Sequence, residues 1–395
     1  MATAEADPET KDALCLAVAA FDGHLADALL DAGADPLRPL PDGSTPLLRA
    51  VISGNAGVTV ALLGRAEDRL TEEQRAGLLA CARHWHETGA EAGLRLATGA
   101  TGPVESRRFV DDFGVNEYHV ITLGGMSVCD GHSAVLTRLE ATFGLRRSFG
   151  DLLDRALACA DGKHADWWEV SAVLAERSDM EAWDAVLALR SDPDPVRRQF
   201  AADLVWYFIN IDRPAPSGEW PWERRAVDVL LPWFAEETDP TVLVSVLRAL
   251  NSDDIDVPNI EELGLSLRTH PDPRVRVQVP GMLHRTRYAY THPEALDVLA
   301  TLARDPDAHV RAHVCEVLYE FEGRDPAVAD ILAGFLDEGD QLVRIKAVSG
   351  LADADDPRCV EGARLIGPVD RSDQDTWLLD AAGRYEQRRT AAARS

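Results

Sequence analysis

Asp272-Pro273-Arg274-Val275-Arg276 is one of five versions of a single short string. The others are Asp194-Pro195-Val196-Arg197, Asp239-Pro240-Thr241-Val242, Asp307-Ala308-His309-Val310-Arg311 and Asp340-Gln341-Leu342-Val343-Arg344. The valines at 196, 242, 275, 310 and 343 are separated by 46, 33, 35 and 33 residues. A spacing in the thirties is the period of a stacked helical array, in which each helix pair buries its apolar face only against its neighbours. Within the string, the Asp side chain is placed to cap a helix and the Pro fits that helix's first turn.

The flanking sequence supplies the helices. Apolar residues at helical spacing mark a first kind of helix at Trp183-Val186-Leu187, Val227-Leu230-Leu231-Phe234, Leu296-Leu299-Leu302 and Val328-Ile331-Leu332-Phe335. A second kind follows each acidic turn, as in Val196-Phe200-Leu204-Phe208, Val310-Val314-Val317-Phe321 and Val343-Ala347-Leu351. Each helix buries one stripe, so no single pair closes a core alone. Over about 170–360 this half resembles HEAT repeats, and the Asp-Pro turn followed by Val-Arg carries the likeness. Pro232 inside a first-kind helix suits the bent first helix of that family. The Arg is placed to reach an acidic turn in a neighbouring repeat. Two departures stand out: Leu243 replaces the Arg in one unit, and Pro280 interrupts a second-kind helix, which it should kink.

A different repeat opens the chain. Leu16-Ala17-Val18-Ala19-Ala20-Phe21-Asp22-Gly23 aligns with Leu47-Leu48-Arg49-Ala50-Val51-Ile52-Ser53-Gly54, 31 residues later. Apolar second helices end at Leu29-Leu30 and Leu62-Leu63. Gly33 and Gly43 give the intervening turn its freedom, and Pro46 opens a helix capped by Ser44 or Thr45. Residues 12–66 resemble ankyrin repeats through Asp42-Gly43-x-Thr45-Pro46-Leu47 and Gly33-Ala34-Asp35. The pattern's usual His after the Leu is absent, with Leu48 and Ala17 in its place. A degenerate third unit runs from Thr71 to Ala100. Between the arrays, 101–165 reads as a junction. It holds a weakly alternating strand at Tyr118–Leu123, a Gly-rich loop at Gly124, Gly125 and Gly131, and helices over Ser133–Phe143 and Phe149–Ala160.

Composition narrows the function. The 395 residues carry 67 Asp and Glu against 40 Lys and Arg, a net charge of −27. Nucleic-acid binding draws on phosphate neutralisation by cations, so nucleic acid is an unfavourable partner, and anionic lipid would repel the chain. A basic protein is the electrostatically easy partner. The same charge also serves to keep an extended array soluble. Six scattered cysteines without a Cys-x-x-Cys pair, a polar N-terminus without an apolar signal core, and no apolar run of spanning length predict a cytoplasmic protein with reduced thiols. Only three lysines accompany 37 arginines, a bias expected of a GC-rich bacterial genome.

The candidate contact residues lie where the repeat fails. The 46-residue spacing leaves an insertion at 210–222, and insertions in arrays project from one face. Trp220 and Trp222 are large, rigid anchors of the kind that dominate interfaces, unless they fold back over neighbouring helices. Arg285, Arg287, Tyr288 and Tyr290 form a basic, aromatic cluster near Arg268, Arg274 and Arg276. It suits an acidic peptide or phosphate, or pairs with carboxylates of adjacent repeats. HEAT-like DNA glycosylases place Trp and Asp on a concave face, and Asp166, Asp184 and Asp203 lie beside Trp167, Trp168, Trp183 and Trp206. Against that reading, residues 191–351 hold 28 acidic and 16 basic side chains. His309 and His313, four apart with Glu316 three further on, put both rings on one helix face, a metal-like spacing without a third ligand of metal-site character. No P-loop, dinucleotide fingerprint or nucleophile elbow occurs.

The sequence therefore predicts an all-α, two-part helical-repeat solenoid. An ankyrin-like array over 1–100 is followed by a junction at 101–165, a HEAT-like α-α superhelix over 166–383 and a frayed basic tail at 384–395. The expected role is a non-enzymatic protein-binding scaffold or adaptor, in a narrower form an inhibitor or immunity protein for a basic partner. The rival is an enzyme or accessory component of a modification pathway. No catalytic residue, cofactor or metal site is predicted.

Overall fold

The computed structural model describes residues 8–111, 116–159, 162–211, 222–252, 255–284, 294–321, 325–367, 378 and 380–392. They fall into two compact units, Met1–Ile211 and Asp212–Ser395.

The first unit begins with three helix pairs: α1 (Pro8–Ala20) and α2 (Gly23–Asp31), α3 (Pro46–Ser53) and α4 (Ala56–Gly64), α5 (Glu72–Thr88) and α6 (Ala90–Thr98). Local sequence fixes their starts. The Asp22, Thr45 and Asn55 side chains accept the Leu25, Leu48 and Val58 N–H groups, and Thr71 and Gln74 form a reciprocal capping box. Gly33 and Gly43 adopt φ of +94° and +81°, the freedom the turn requires. The pairs stack in sequence through α1–α3, α2–α4 and α3–α5 contacts.

A three-stranded antiparallel sheet follows, β1 (Glu105–Val110), β2 (Glu117–Leu123) and β3 (Met126–Cys129), in the order β1-β2-β3. It corrects the all-α expectation: the chain is mostly helical with one small sheet. The alternation seen at Tyr118–Leu123 is β2, whose Tyr118, Val120 and Leu123 are buried. Its β-branched and aromatic residues pack on both faces: Tyr118 and Val120 join the main core, while Ile121 and Leu123 pack with Trp85 and Leu94 of α5 and α6. β1 is almost wholly exposed.

Beyond the sheet come α7 (His132–Thr142), α8 (Phe149–Leu157), α9 (Ala165–Glu176), α10 (Met180–Leu189) and α11 (Pro195–Asn210). α7 packs on α4, α5 and α9, so one buried cluster runs from Leu14 through Leu62, Tyr118 and Leu139 to Ala165.

The second unit holds α12 (Glu223–Glu236), α13 (Pro240–Leu250), α14 (Ile260–Leu267), α15 (Pro273–Arg276), α16 (Val279–Leu283), α17 (Ala295–Leu302), α18 (Ala308–Tyr319), α19 (Pro326–Ala333), α20 (Gln341–Asp353), α21 (Arg358–Leu365) and α22 (Asp380–Ala392). Second-kind helices stack directly through the α13–α15, α16–α18 and α18–α20 contacts. Pro280 acts as expected: a second-kind helix is split into α15 and α16. Pro232 sits inside α12. The tail expectation is corrected, because α22 packs on α20 and α21 with Ala381 and Tyr385 buried, and Arg388 donates to the Ala352 carbonyl at 2.8 Å. Those small and aromatic residues outweigh the basic composition that suggested fraying. Among the described residues no helix is long and apolar enough to cross a membrane.

Candidate functional site

The repeated turns are built alike. The caps Asp194, Asp239, Asp272, Asp307 and Asp340 accept backbone N–H groups two residues on, at 2.8–2.9 Å. An Arg four residues after the cap turns back to the carbonyls just before it. Arg198 reaches Asp192 and Pro193, Arg276 reaches His270 and Pro271, Arg311 reaches Asp305 and Pro306, and Arg344 reaches Glu338 and Gly339. In the first motif the reaching residue is thus Arg198, and Arg197 instead pairs with Asp192.

Two of these arginines also span repeats. Arg276 grips Asp305 through two bonds of 2.7 Å, and Arg311 grips Glu338 through bonds of 2.8 and 2.9 Å. The pairing raises both arginines and lowers both carboxyls, with the hydrogen bonds as the largest cause. One stack further, Lys346 donates to Glu316 at 2.8 Å, and Glu316 also meets His313. The Glu316 carboxyl is held down to about 2, first by His313 and then by Lys346 against the opposing effect of burial. The spanning cations are therefore occupied by carboxylates of the array itself.

Of the sequence-selected contact residues, Trp220, Arg285, Arg287, Tyr288 and Tyr290 lie outside the described residues. Trp222 opens α12 and is only 5% exposed, with the Arg225 guanidinium 5.8 Å from its ring centre. His309 and His313 turn to different carboxylates, Asp307 and Glu316, and do not converge. The residues read as glycosylase-like divide. Asp184 is exposed, whereas Asp203 is buried and accepts the Trp167 indole N–H at 3.0 Å. Trp167, Trp168 and Trp183 are buried too. Trp167 packs edge-on against Phe200, and Trp183 does the same against Phe208. These are core partners rather than a base-binding platform.

Asp166 belongs to a constellation that no sequence motif announced. His164, the N-cap of α9, and Asp166, in its first turn, are both buried. Cys159, just after α8, is exposed. One ligand atom from each of the three lies within 4.8 Å of the others. The Cys159 Sγ–H points to Asp166 Oδ2 at 3.7 Å, and His164 Nδ1 is 3.6 Å from the same oxygen. Asp166 Oδ1 is engaged elsewhere, accepting the Ala134 N–H at 2.7 Å. On the far side of the ring, His164 Nε2 meets Asp130 Oδ1 at 3.2 Å, and Asp130 is held by the His119 N–H at 2.8 Å and by His119 Nδ1 at 3.2 Å.

Burial raises the Asp166 carboxyl above its ordinary range. For His164, burial favours the neutral ring, but Asp130, Cys159 and Asp166 outweigh it and shift the ring above its ordinary value. Two carboxylates and a thiol thus converge on one imidazole at the edge of a low-dielectric core. The signal available in sequence was the spacing Cys159-x4-His164-x-Asp166; Asp130, 29 residues upstream of Cys159, carried none.

A family model for HEAT repeats matches residues 260–352. No curated protein matches the chain at a significant level. Among solved structures it is similar to YibA of Escherichia coli, with TM-score 0.45 and 16% identity over 63% of this chain and 96% of that one. It is also similar to human deoxyhypusine hydroxylase in complex with glycerol, with TM-score 0.26 and 16% identity over 64% and 88% of the two chains. A mutant of Kap121p gives TM-score 0.42 and 12% identity over 97% of this chain and 43% of that one. None of these comparisons supports the ankyrin resemblance of residues 12–66. Residues 260–352, which contain three of the five Asp-capped turns and both arginine bridges, are HEAT repeats.

Proposed function

We propose that the chain is a protein-binding scaffold whose acidic repeat surface holds a basic polypeptide, in a narrower form as an inhibitor or immunity protein. The observation that carries this reading is the internal use of the spanning cations. Arg276, Arg311 and Lys346 already bind Asp305, Glu338 and Glu316, and the chain as a whole keeps an excess of 27 negative charges. Such a surface steers and retains a cationic partner, and its affinity falls with salt. In this reading the HEAT-like array extends beyond 260–352 to about 170–360. The helix pairs of 12–66 form part of an ankyrin-like array, and the protein works in the cytoplasm. Trp220, with Arg285, Arg287, Tyr288 and Tyr290, supplies further contacts. Trp222 contributes by seating α12.

The test is affinity capture from native lysate at low salt, repeated at high salt and with a Trp220→Ala/Trp222→Ala variant. A stoichiometric basic protein that is lost at high salt is expected. Absence of any stoichiometric protein at low salt overturns the reading, and unchanged capture by the variant removes the insertion from the contact surface. A second reading, an enzyme or accessory component, is favoured by the convergence of Asp130, Cys159, His164 and Asp166. Its DNA-glycosylase form is not, since Asp203 and Trp167 are engaged with each other in the core.

A further inference from the structure

The geometry points to a divalent transition-metal site of the zinc class, with Cys159 Sγ, His164 Nδ1 and Asp166 Oδ2 as its three protein ligands and solvent in the fourth position. This goes beyond the binding role proposed above and does not depend on it.

The first argument is distance. Zinc bonds of about 2.0–2.3 Å to N, O and S place the ligand atoms of a tetrahedron roughly 3.3–3.7 Å apart. Sγ to Oδ2 is 3.7 Å and Nδ1 to Oδ2 is 3.6 Å, and all three atoms fall within 4.8 Å. The second is orientation. A metal-bound imidazole usually gives its other ring nitrogen to a carboxylate, and here Nε2 faces Asp130 Oδ1 at 3.2 Å. Asp130 is itself fixed by the His119 N–H, so the outer partner is as well placed as the ligand. The third is the division of labour on Asp166. Its Oδ1 takes the Ala134 N–H in the first turn of α7, which leaves Oδ2 turned toward the thiol and the ring. The fourth is access: His164 and Asp166 are at most 4% exposed, while Cys159 is open to solvent. An ion can enter on the thiol side and keep a water there. Mixed sulfur, nitrogen and carboxylate ligation suits zinc and cobalt(II) and disfavours calcium or magnesium.

Without an ion these groups satisfy one another by weaker means. The thiol donates to Oδ2, and His164 Nδ1 accepts the Asp166 N–H at 3.2 Å. Metal binding replaces both contacts, releasing the thiol proton and, where the ring is protonated, its Nδ1 proton to solvent. The purely structural alternative is that these bonds only close the α8–α9 corner, and the experiment separates the two.

Metal-stripped full-length protein is titrated with cobalt(II), following the sulfur-to-cobalt charge-transfer band in the near ultraviolet and the visible bands of tetrahedral cobalt. One equivalent should produce both sets of bands, and one equivalent of zinc should abolish them. Cys159→Ser should lose the charge-transfer band, while Cys15→Ser and Cys81→Ser keep it. Asp130→Asn should retain the band with affinity weakened 10- to 100-fold, as expected of an outer-shell partner. Circular dichroism establishes that each variant is folded, and Cys159, being exposed, is a mild place to substitute. No charge-transfer band at one equivalent, or a band that survives Cys159→Ser, overturns the assignment.

Discussion

The array at 260–352 and the region around α7 in the first unit use charge in opposite ways. In the array, the bridging arginines sit four residues after a cap and their carboxylates two before the next, so each partner is one repeat away. Arg276 and Asp305 are 29 residues apart and Arg311 and Glu338 are 27 apart. Around α7 nothing repeats. Glu140, 1% exposed, receives Arg147 and Arg155, and Arg83 approaches it to 3.8 Å. Burial would raise that carboxyl, but the arginines outweigh it and hold it below its ordinary range. Gly54 and His132, 78 positions apart in the sequence, fit into each other with no space between them. A modular interface spreads its electrostatic stability over equivalent rungs, whereas a single irregular junction concentrates it in a few irreplaceable contacts.

The sharpest way to break the irregular side is Gly54→Ala. Gly54 has φ +68°, and a Cβ there would lie 2.3 Å from the Cys129 carbonyl oxygen and 2.7 Å from His132 Cε1. Left-handed strain and overpacking against backbone together should cost about 4 kcal/mol, read as a lowered denaturation midpoint in urea. An Ala tolerated with less than about 1 kcal/mol lost would show that this close approach is not a constraint.

His132 gives the next effect. Its ring stacks on Trp85 with centroids 4.9 Å apart, and Nε2 donates to the Ile52 carbonyl at 3.0 Å. Burial is the main cause that pushes it down to about 4 from 6.5, with the Ile52 bond and Asp130 opposing. Because the folded value lies below the unfolded one, its contribution is complete above pH 6.5 and is lost as pH falls toward 4. The difference of two and a half units corresponds to roughly 3 kcal/mol. Urea melts between pH 7 and 4 should show that slope, flattened in His132→Phe. An unchanged slope in the variant would assign the acid sensitivity to other groups.

How much of this was legible follows the same division. The caps, the arginines that reach a neighbouring acidic turn and the break at Pro280 could be read because a period let one instance check another, whereas the arginines' turn back to the carbonyls before their own caps was not read. The sheet was half legible: β2 alternates, but β1, Glu105-Ser106-Arg107-Arg108-Phe109-Val110, shows no apolar face because it is exposed almost throughout. The Asp130–His164 contact and the fit of Gly54 to His132 were illegible, since they depend on how separate segments meet. Asp166 and Asp203 drew notice for the wrong reason. Their neighbouring tryptophans suggested a surface, whereas the pattern Trp167-Trp168-x-Val170 marks a helix buried on most of its circumference.

On the regular side, removing one rung should cost less. Arg276→Met keeps the aliphatic stem and loses both bonds to Asp305, a carboxylate whose side chain is 6% exposed. A loss of about 2 kcal/mol is expected, smaller than for Gly54→Ala. An equal or greater loss would mean that the array, too, relies on single contacts.

The smallest effect tests whether a rung can be moved. Each bridge joins the residue four after one cap to the residue two before the next, as in Arg276 with Asp305 and Arg311 with Glu338. Applied to the cap at Asp239, that rule pairs Leu243 with His270, so both halves of the rung are missing together. His270 keeps the other duty of its position: its Nδ1 accepts the Asp272 N–H at 3.1 Å, as Asp192, Glu237 and Asp305 do for the caps they precede. Leu243 is buried, so Leu243→Arg exchanges apolar burial for hydrogen bonds to carbonyls and should end near balance. His270→Asp alone adds a carboxylate without a cation. Together they should restore the bridge, with a coupling of about 1 kcal/mol in a double-mutant cycle. A coupling of zero would mean that the split of the following helix at Pro280 has moved the two turns out of register, making the missing rung a consequence of the kink.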